Sequence, residues 1–228
     1  MPEPINSDTI GLETAKILLD IKAVNFRPHE PYILSAGWAS PVYIDIRKLI
    51  SFNAARRRVI EMGTARLRDE LDLNTIDAIA GGETTGIPYA AWFSDSLDKP
   101  MLYVRKKPKG YGRNALIEGH IEEGQRVLLV EDLATGGHSK LAYAKTLRKA
   151  RVKCSDTFVV FFYGVFDNAL DDLAAGGLNL HYLANWQHVL HVAKEGAYFD
   201  DAAIAGVSEF LESPVAWSAR HTGQGSPD

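Results

Sequence analysis

The chain has 228 residues, of which 46% are hydrophobic and 24% are charged, which is typical of a globular domain with a sizeable core. Its formal net charge of -4 argues against a general nucleic-acid binder, and its one cysteine, Cys154, excludes an intrachain disulfide. Because no signal-peptide pattern opens the chain and no apolar run approaches the roughly 20 residues that span a bilayer, we expect a cytoplasmic protein without nucleic-acid or membrane partners.

The first fifty residues combine one helical pattern with short extended segments. The stretch "TIGLETAKILLDIKAV" has apolar residues at helical spacing, with Ser7, Asp8 or Thr9 available as its N-cap. The stretch "EPYILSAGWASPVYIDIRKLI" is interrupted by Pro, Gly and Ser, which indicates short strands and turns. A basic-faced helix is predicted from Asn53 to Glu70. The residues before Asn53 are therefore predicted to form a small hood.

After this helix, apolar strands alternate with helices. Strands are predicted at "IDAIAGG", "PMLYV", "RVLLV" and "TFVVFFYGVF", with a fifth at "LNLHYLAN". Helices are predicted at "GIPYAAWFSDSL", from about His138 to Ala150, and at "DDAAIAGVSEFLE". This alternation predicts an α/β fold with a mainly parallel central sheet and helices on both faces. We expect one domain over residues 1–218, with the hood within about 1–52, the core at about 53–218, and a frayed tail at 219–228.

Two acidic residues follow the third strand in the stretch "QRVLLVEDLATGGHSK". Glu131 and Asp132 lie at the carboxyl end of that strand, where open parallel sheets bind ligands, and can accept hydrogen bonds from vicinal hydroxyls or hold a metal. Gly136 and Gly137 allow a tight turn into a helix whose N-terminal amides favour phosphate. The combination predicts a ribose 5-phosphate site. Loop chemistry alone leaves open an ordinary strand-to-helix connection capped by Thr and Ser.

A second feature is a cluster of positive charge in "YVRKKPKGYGRNALIEGH". Arg105, Lys106, Lys107, Lys109 and Arg113 fall within nine residues that also contain glycine and proline. Mutual repulsion and these residue types predict a segment that is mobile without a ligand and is ordered by a polyanion such as pyrophosphate. The alternative is a solvated basic turn.

These motifs together resemble a known enzyme family. "VLLVEDLATGGHSK" resembles the 5-phosphoribosyl 1-pyrophosphate (PRPP) motif of type I phosphoribosyltransferases. The basic segment, "YILSAGWASPVYID" and "GGETTGIPYAA" resemble the catalytic loop, hood and pyrophosphate-side loop of the orotate phosphoribosyltransferase family. The resemblance extends from about Leu18 to Phe166 in the family's order. It implies a type I phosphoribosyltransferase-like fold and an enzyme of pyrimidine (UMP) biosynthesis that makes orotidine 5-phosphate from PRPP and orotate.

The resemblance also implies roles for individual residues. Lys109 and Asp132 would be catalytic. The residues implied in PRPP binding are Thr84, Thr85, Arg105, Lys106, Lys109, Tyr111, Glu131, Asp132, Leu133, Ala134, Thr135, Gly136, Gly137, His138 and Ser139. Those implied in orotate binding are Tyr43, Ile44 and Thr135. The cofactor would be Mg²⁺, held mainly through PRPP and not by direct protein ligands. The partner would be a second copy, in a homodimer where loop 105–118 reaches the neighbouring active site.

The sequence departs from the family pattern at three places. Ser35 and Thr85 stand where many members have lysine, and no arginine lies near Tyr163, where many members grip the orotate carboxylate. Arg27 and Arg47 are the candidates for that contact. The departures leave two alternatives open: another type I phosphoribosyltransferase that acts on a purine or other pyrimidine, or a non-catalytic PRPP-sensing regulator.

Overall fold

The structure is a computed structural model that describes residues 8–34, 37–108, 116–166 and 168–223. Its helices are α1 (Thr9–Asp20), α2 (Asn53–Glu70), α3 (Gly86–Leu97), α4 (His138–Lys149), α5 (Ala169–Ala175), α6 (Trp186–Glu195), α7 (Asp201–Glu212) and α8 (Pro214–Arg220). Its strands are β1 (Val24–Phe26), β2 (Tyr32–Ile33), β3 (Ala39–Ser40), β4 (Val42–Ile44), β5 (Ala78–Gly82), β6 (Met101–Val104), β7 (Ile117–Glu118), β8 (Arg126–Ala134), β9 (Lys153–Phe162) and β10 (Asn179–Asn185). Two 3₁₀ helices occupy Ile46–Ser51 and Leu73–Thr75. No helix within these described ranges is long and apolar enough to cross a membrane.

The described residues fall into two compact units. The hood unit comprises those of 1–52, 163–166 and 184–228, and the sheet unit comprises those of 53–162 and 167–183. The hood unit thus contains a C-terminal segment that the sequence analysis assigned to the core. The single-domain organisation over 1–218 stays a prediction, as does the frayed tail, of which residues 224–228 lie outside the described part of the chain.

The sheet unit is built on a six-stranded sheet in the order β10-β9-β8-β5-β6-β7. Its β5–β6, β5–β8 and β8–β9 pairs are parallel, and only the short β7 is shown as antiparallel to its neighbour, β6. The predicted mainly parallel sheet is confirmed. The fifth strand expected near residues 178–185 is present as β10.

Helices cover both faces of this sheet because its strands are apolar on both sides. Val127 and Leu129 of β8 belong to a buried cluster with Leu147 of α4. On the other face, the ring of Phe93 from α3 packs edge-on against that of Phe158 from β9, with centroids 4.9 Å apart. Alternate residues of a strand point to opposite faces, so continuous apolar strands require this double covering.

The hood unit joins the two ends of the chain. Helix α1 begins as predicted, with Asp8 accepting a hydrogen bond from the Gly11 N–H. Strands β1 and β4 pair antiparallel, as do β2 and β3. The Ala39 N–H donates to the Ser218 hydroxyl at 3.0 Å, so the N-terminal strands depend on a residue from α8. Helix α7 matches the predicted late helix, whereas α5, α6 and α8 were not predicted.

Candidate active site

The acidic pair lies within β8. The sequence predicted that the strand ends before Glu131, but β8 continues to Ala134 because Leu133 and Ala134 still pair with Phe161 and Phe162 of the long neighbouring strand β9. The predicted strand end is therefore wrong by four residues. As neighbours on one strand, Glu131 and Asp132 project towards opposite faces of the sheet.

The carboxylate of Glu131 is enclosed by backbone and by one lysine. Its Oε1 accepts a hydrogen bond from the Gly82 N–H at 2.7 Å, and its Oε2 lies 3.7 Å from Lys140 Nζ. A Cβ at Gly82 or at Gly86 would overlap Oε1, so both glycines are required for this arrangement. Burial raises the pKa of Glu131 to about 7, with Lys140 and the Gly82 N–H opposing the rise and Asp132 adding to it.

Asp132 has a different environment. It is buried, with 8% exposure, and its Oδ1 accepts a hydrogen bond from the Leu133 N–H at 2.9 Å. Its negative charge contributes to the raised pKa of Tyr89 on α3, which is due first to the burial of that phenol. The two acids thus occupy distinct electrostatic settings although they are adjacent in sequence.

The predicted phosphate loop connects β8 to α4. Thr135 and Gly136 are partly exposed, whereas Gly137 is buried and caps α4 with a left-handed φ of +84°. No side chain in the described residues caps the α4 N-terminus by a hydrogen bond. His138 and Ser139 are exposed on the first turn. The geometry therefore keeps the N-terminal amides of α4 at the carboxyl edge of the sheet, where they suit an anion.

A second loop reaches the same edge from β5. Thr84 is exposed, and Thr85 precedes the first residue of α3. The Tyr143 hydroxyl of α4 donates to the Glu83 carbonyl at 2.6 Å, and the Glu83 carboxylate accepts from the Lys106 N–H at 2.8 Å. These bonds tie the predicted pyrophosphate-side loop to the phosphate-loop helix and to the start of the basic segment. Burial, followed by the charge of Glu131, raises the pKa of Tyr143 to about 12.

The described part of the basic segment leaves β6 and returns through β7. The Arg105 N–H donates to the Leu116 carbonyl at 2.8 Å, and the Arg105 guanidinium lies 3.9 Å from the Glu118 carboxylate. Lys106 is exposed. Lys109 and Tyr111 lie outside the described residues, so their proposed roles rest on the sequence.

The predicted orotate-side residues belong to the hood unit. Tyr43 is 44% exposed on β4, and Ile44 beside it is buried. The Tyr163 hydroxyl donates to the Val42 carbonyl at 3.0 Å and lies 3.4 Å from the Ser40 hydroxyl, which fixes the strand that presents Tyr43. This supporting network was not predicted, although its sequence signal is Tyr163, the aromatic residue that directly follows β9.

The two arginines considered for the orotate carboxylate are both exposed. Arg27 donates to Glu30 at 2.6 Å, and its guanidinium carbon lies 5.1 Å from the centroid of the Tyr32 ring. Arg47 is on the first 3₁₀ helix. Ser35, which stands where many family members have lysine, lies outside the described residues.

Other titratable groups form structural networks. Burial disfavours the charged form of His181, but hydrogen bonds to Asp156 and Glu70 outweigh it and raise its pKa to about 9. Burial raises the thiol pKa of Cys154 to about 12, which favours a structural role over a nucleophilic one. Within the described ranges, no group of three or more His, Cys, Asp or Glu side chains is placed to hold a metal.

Comparison with known proteins identifies close relatives, although no family model matches. The chain is 48% identical over 212 residues to the orotate phosphoribosyltransferase of Sinorhizobium medicae, across 93% of this chain and 91% of that protein. The solved orotate phosphoribosyltransferase of Aeropyrum pernix matches with a TM-score of 0.68 and 29% identity over 82% of this chain and 99% of that one. The UMP synthase of Leishmania donovani matches with a TM-score of 0.75 and 26% identity, over 89% of this chain and 42% of that longer one.

Proposed function

This chain belongs to the orotate phosphoribosyltransferase family, and we infer that it transfers the 5-phosphoribosyl group of PRPP to orotate, giving orotidine 5-phosphate and pyrophosphate. It is a pentosyltransferase of pyrimidine biosynthesis with a type I phosphoribosyltransferase fold. The observation that carries this conclusion is 48% identity across 93% of the chain to a protein of that activity. The cytoplasmic location stays a prediction.

We propose that the β8–α4 corner binds the ribose 5-phosphate part of PRPP. Glu131 and Asp132 accept hydrogen bonds from the ribose hydroxyls, and the loop from Leu133 to Ser139 surrounds the 5-phosphate. The left-handed turn at Gly137 and the N-terminal amides of α4 support this assignment, because they direct donors and a positive dipole end towards an anion.

The pyrophosphate end is assigned to the loop at Thr84 and Thr85 and to Arg105, Lys106, Lys109 and Tyr111. Breaking the anomeric C–O bond leaves an oxocarbenium-like sugar and transfers an electron pair to the departing pyrophosphate. A ring nitrogen of orotate then forms the new bond at the anomeric carbon, and its N–H proton passes to the departing pyrophosphate or to solvent. Positive groups aimed at the developing charge are worth about 3–4 kcal/mol each. Lys109 is the residue proposed to contribute most.

Magnesium is the proposed cofactor, with oxygen ligands supplied mainly by PRPP. The carboxylates of this edge, Asp132 and Glu131, would hold the ion only through the ribose hydroxyls that they bind, and their negative charge fits a cation at that place. When bound, Mg²⁺ would neutralise charge on the pyrophosphate oxygens. The protein's own part is to orient PRPP and to exclude water.

Tyr43, Ile44 and Thr135 are proposed to bind orotate, with backbone groups of β4 offered to the pyrimidine. The bonds from Tyr163 and Ser40 to Val42 favour this role, since they fix the strand beside Tyr43.

We also propose a homodimer in which loop 105–118 completes the neighbouring site. The test is to mix inactive Lys109→Ala and Asp132→Ala subunits. If the loop acts across subunits, half of the random dimers are mixed and have one intact site, so about a quarter of wild-type activity returns. Activity that stays absent after proven subunit exchange contradicts the shared site.

The activity itself is tested by mixing protein, PRPP, Mg²⁺ and orotate and following the loss of orotate absorbance. Parallel reactions with adenine, hypoxanthine and uracil test base specificity, and a reaction without Mg²⁺ tests the cofactor. Product formation only from orotate is expected. If no folded preparation of the protein forms orotidine 5-phosphate, the proposed function is wrong.

A further inference from the structure

Lys140 is a buried cation that the proposed reaction does not use. It lies on the first turn of α4 with 5% exposure, whereas lysine is rarely buried without a partner. Its Nζ donates to the Leu133 carbonyl, lies 3.3 Å from the Ser139 hydroxyl, and lies 3.7 Å from Glu131 Oε2. The ammonium group therefore spans the phosphate loop from its strand end to its helix start and also meets the first acid.

The surroundings of Glu131 explain why such a cation is needed. Its carboxyl group has only 7% exposure, and burial of a carboxylate without a counter-charge favours the protonated form. Among the described residues, the titratable groups that act on its charge are Lys140 and Tyr143 from α4 and Asp132, its neighbour on β8. From β5 it receives the Gly82 N–H, and across the sheet it is opposite the apolar Val159. Lys140 is the only cation in this set.

We propose that Lys140 is a positioning residue for PRPP binding, which favours the ionised form of the Glu131 carboxylate and holds it against the Gly82 N–H. The inference rests on the proposed function, because it assigns Glu131 to the ribose. In this role Lys140 acts through Glu131.

The test compares Lys140→Met, which retains the chain length but not the charge, with Lys145→Met, an exposed lysine of the same helix. PRPP affinity is measured by calorimetry with Mg²⁺ at pH 7 and at pH 9, each relative to wild type at that pH. We expect Lys140→Met to bind at least about tenfold more weakly at pH 7, as expected for a buried carboxylate that has lost its counter-charge. At pH 9, ionisation of Glu131 should restore affinity to within about threefold of wild type. Lys145→Met should match wild type at both values.

Two results would overturn the inference. One is unchanged PRPP affinity of Lys140→Met at pH 7, and the other is an equal loss at both pH values, which indicates a purely structural role. If Lys140→Met does not fold, the double variant Glu131→Gln/Lys140→Met is tested, because it also removes the unpaired carboxylate. A folded double variant supports the pairing of Lys140 with Glu131, and an unfolded one contradicts it. The proposed function is judged separately, since only wild-type protein inactive with PRPP and orotate contradicts it.

Discussion

The glycine at the start of α3 makes a sharp test of how the acidic pair is held. A Cβ at Gly86 would overlap Glu131 Oε1 and would lie 2.9 Å from the Val130 carbonyl. The side chain of Glu131 can turn away, but the backbone oxygen can yield only if the strand moves. Gly86→Ala therefore displaces the carboxylate from the Gly82 N–H without changing any charge.

The expected cost follows from the interactions that are lost and gained. Loss of a hydrogen bond to a charged group costs about 1.5–3 kcal/mol. Alanine in place of glycine in a helix returns at most about 1 kcal/mol. With that full return, the net loss in the free energy of unfolding is about 0.5–2 kcal/mol. Because Glu131 no longer presents its carboxylate as in the wild type, PRPP affinity should fall by about tenfold or more.

Urea unfolding and calorimetric PRPP titration measure the two effects. Gly124→Ala is the matched control: it lies before β8 at the end away from the acids, and its added Cβ would meet no described atom within 4 Å. Its φ of +88° makes alanine cost about 1–2 kcal/mol, so stability falls by a similar amount while PRPP affinity stays. If Gly86→Ala binds PRPP as tightly as Gly124→Ala does, the enclosure of Glu131 is irrelevant to binding and the reasoning fails.

Three further predictions concern other parts of the molecule. Lys109→Ala should lower kcat by about 10²–10³-fold with a much smaller change in the KM for PRPP, because its charge acts on the leaving group; steady-state kinetics giving equal losses would mean that it only binds. The raised pKa of His181 means that its contribution to stability is complete below about pH 6.5 and is lost as pH rises through about 9. His181→Gln should flatten this decline, by less than about 1 kcal/mol per pH unit, because Glu70 is partly screened by solvent. Urea unfolding at several pH values measures the effect, and His191→Gln is the control. Gly137→Ala should lower the melting temperature and weaken PRPP binding, because alanine would have to adopt a left-handed φ and its Cβ would lie 2.7 Å from Leu173. An unchanged melting curve would contradict this.

The sequence predicts the sheet unit well because its signals are local. Apolar strands, the glycines that follow them and the helical spacing between them are each contained in a short window. The end of β8 was mispredicted because two acidic residues after an apolar run, Glu131 and Asp132, indicate a strand end when only the local sequence is considered. The strand continues because its neighbour β9 is apolar as far as Phe162, a pairing partner that local reasoning does not see.

Contacts between distant residues account for the rest of what the sequence did not reveal. Lys140 reads as an ordinary surface lysine until the turn at Gly137 directs its side chain back under β8 towards Glu131. The glycines at 82 and 86 read as turn formers, although their lack of a Cβ also makes room for a carboxylate. Likewise, the bond from Ala39 to Ser218 joins residues 179 positions apart, which no periodicity indicates.

The way the hood unit gathers both chain ends has a consequence for biosynthesis. On the ribosome, every residue of the sheet unit has been made once Leu183 emerges, so that unit can fold while translation continues. The strands around Tyr43 cannot complete their contacts until Ser218 and the last helices have been made. The nascent polypeptide would then acquire the corner proposed to bind the sugar phosphate before the strands proposed to bind the base, and a prematurely terminated product would lack the second.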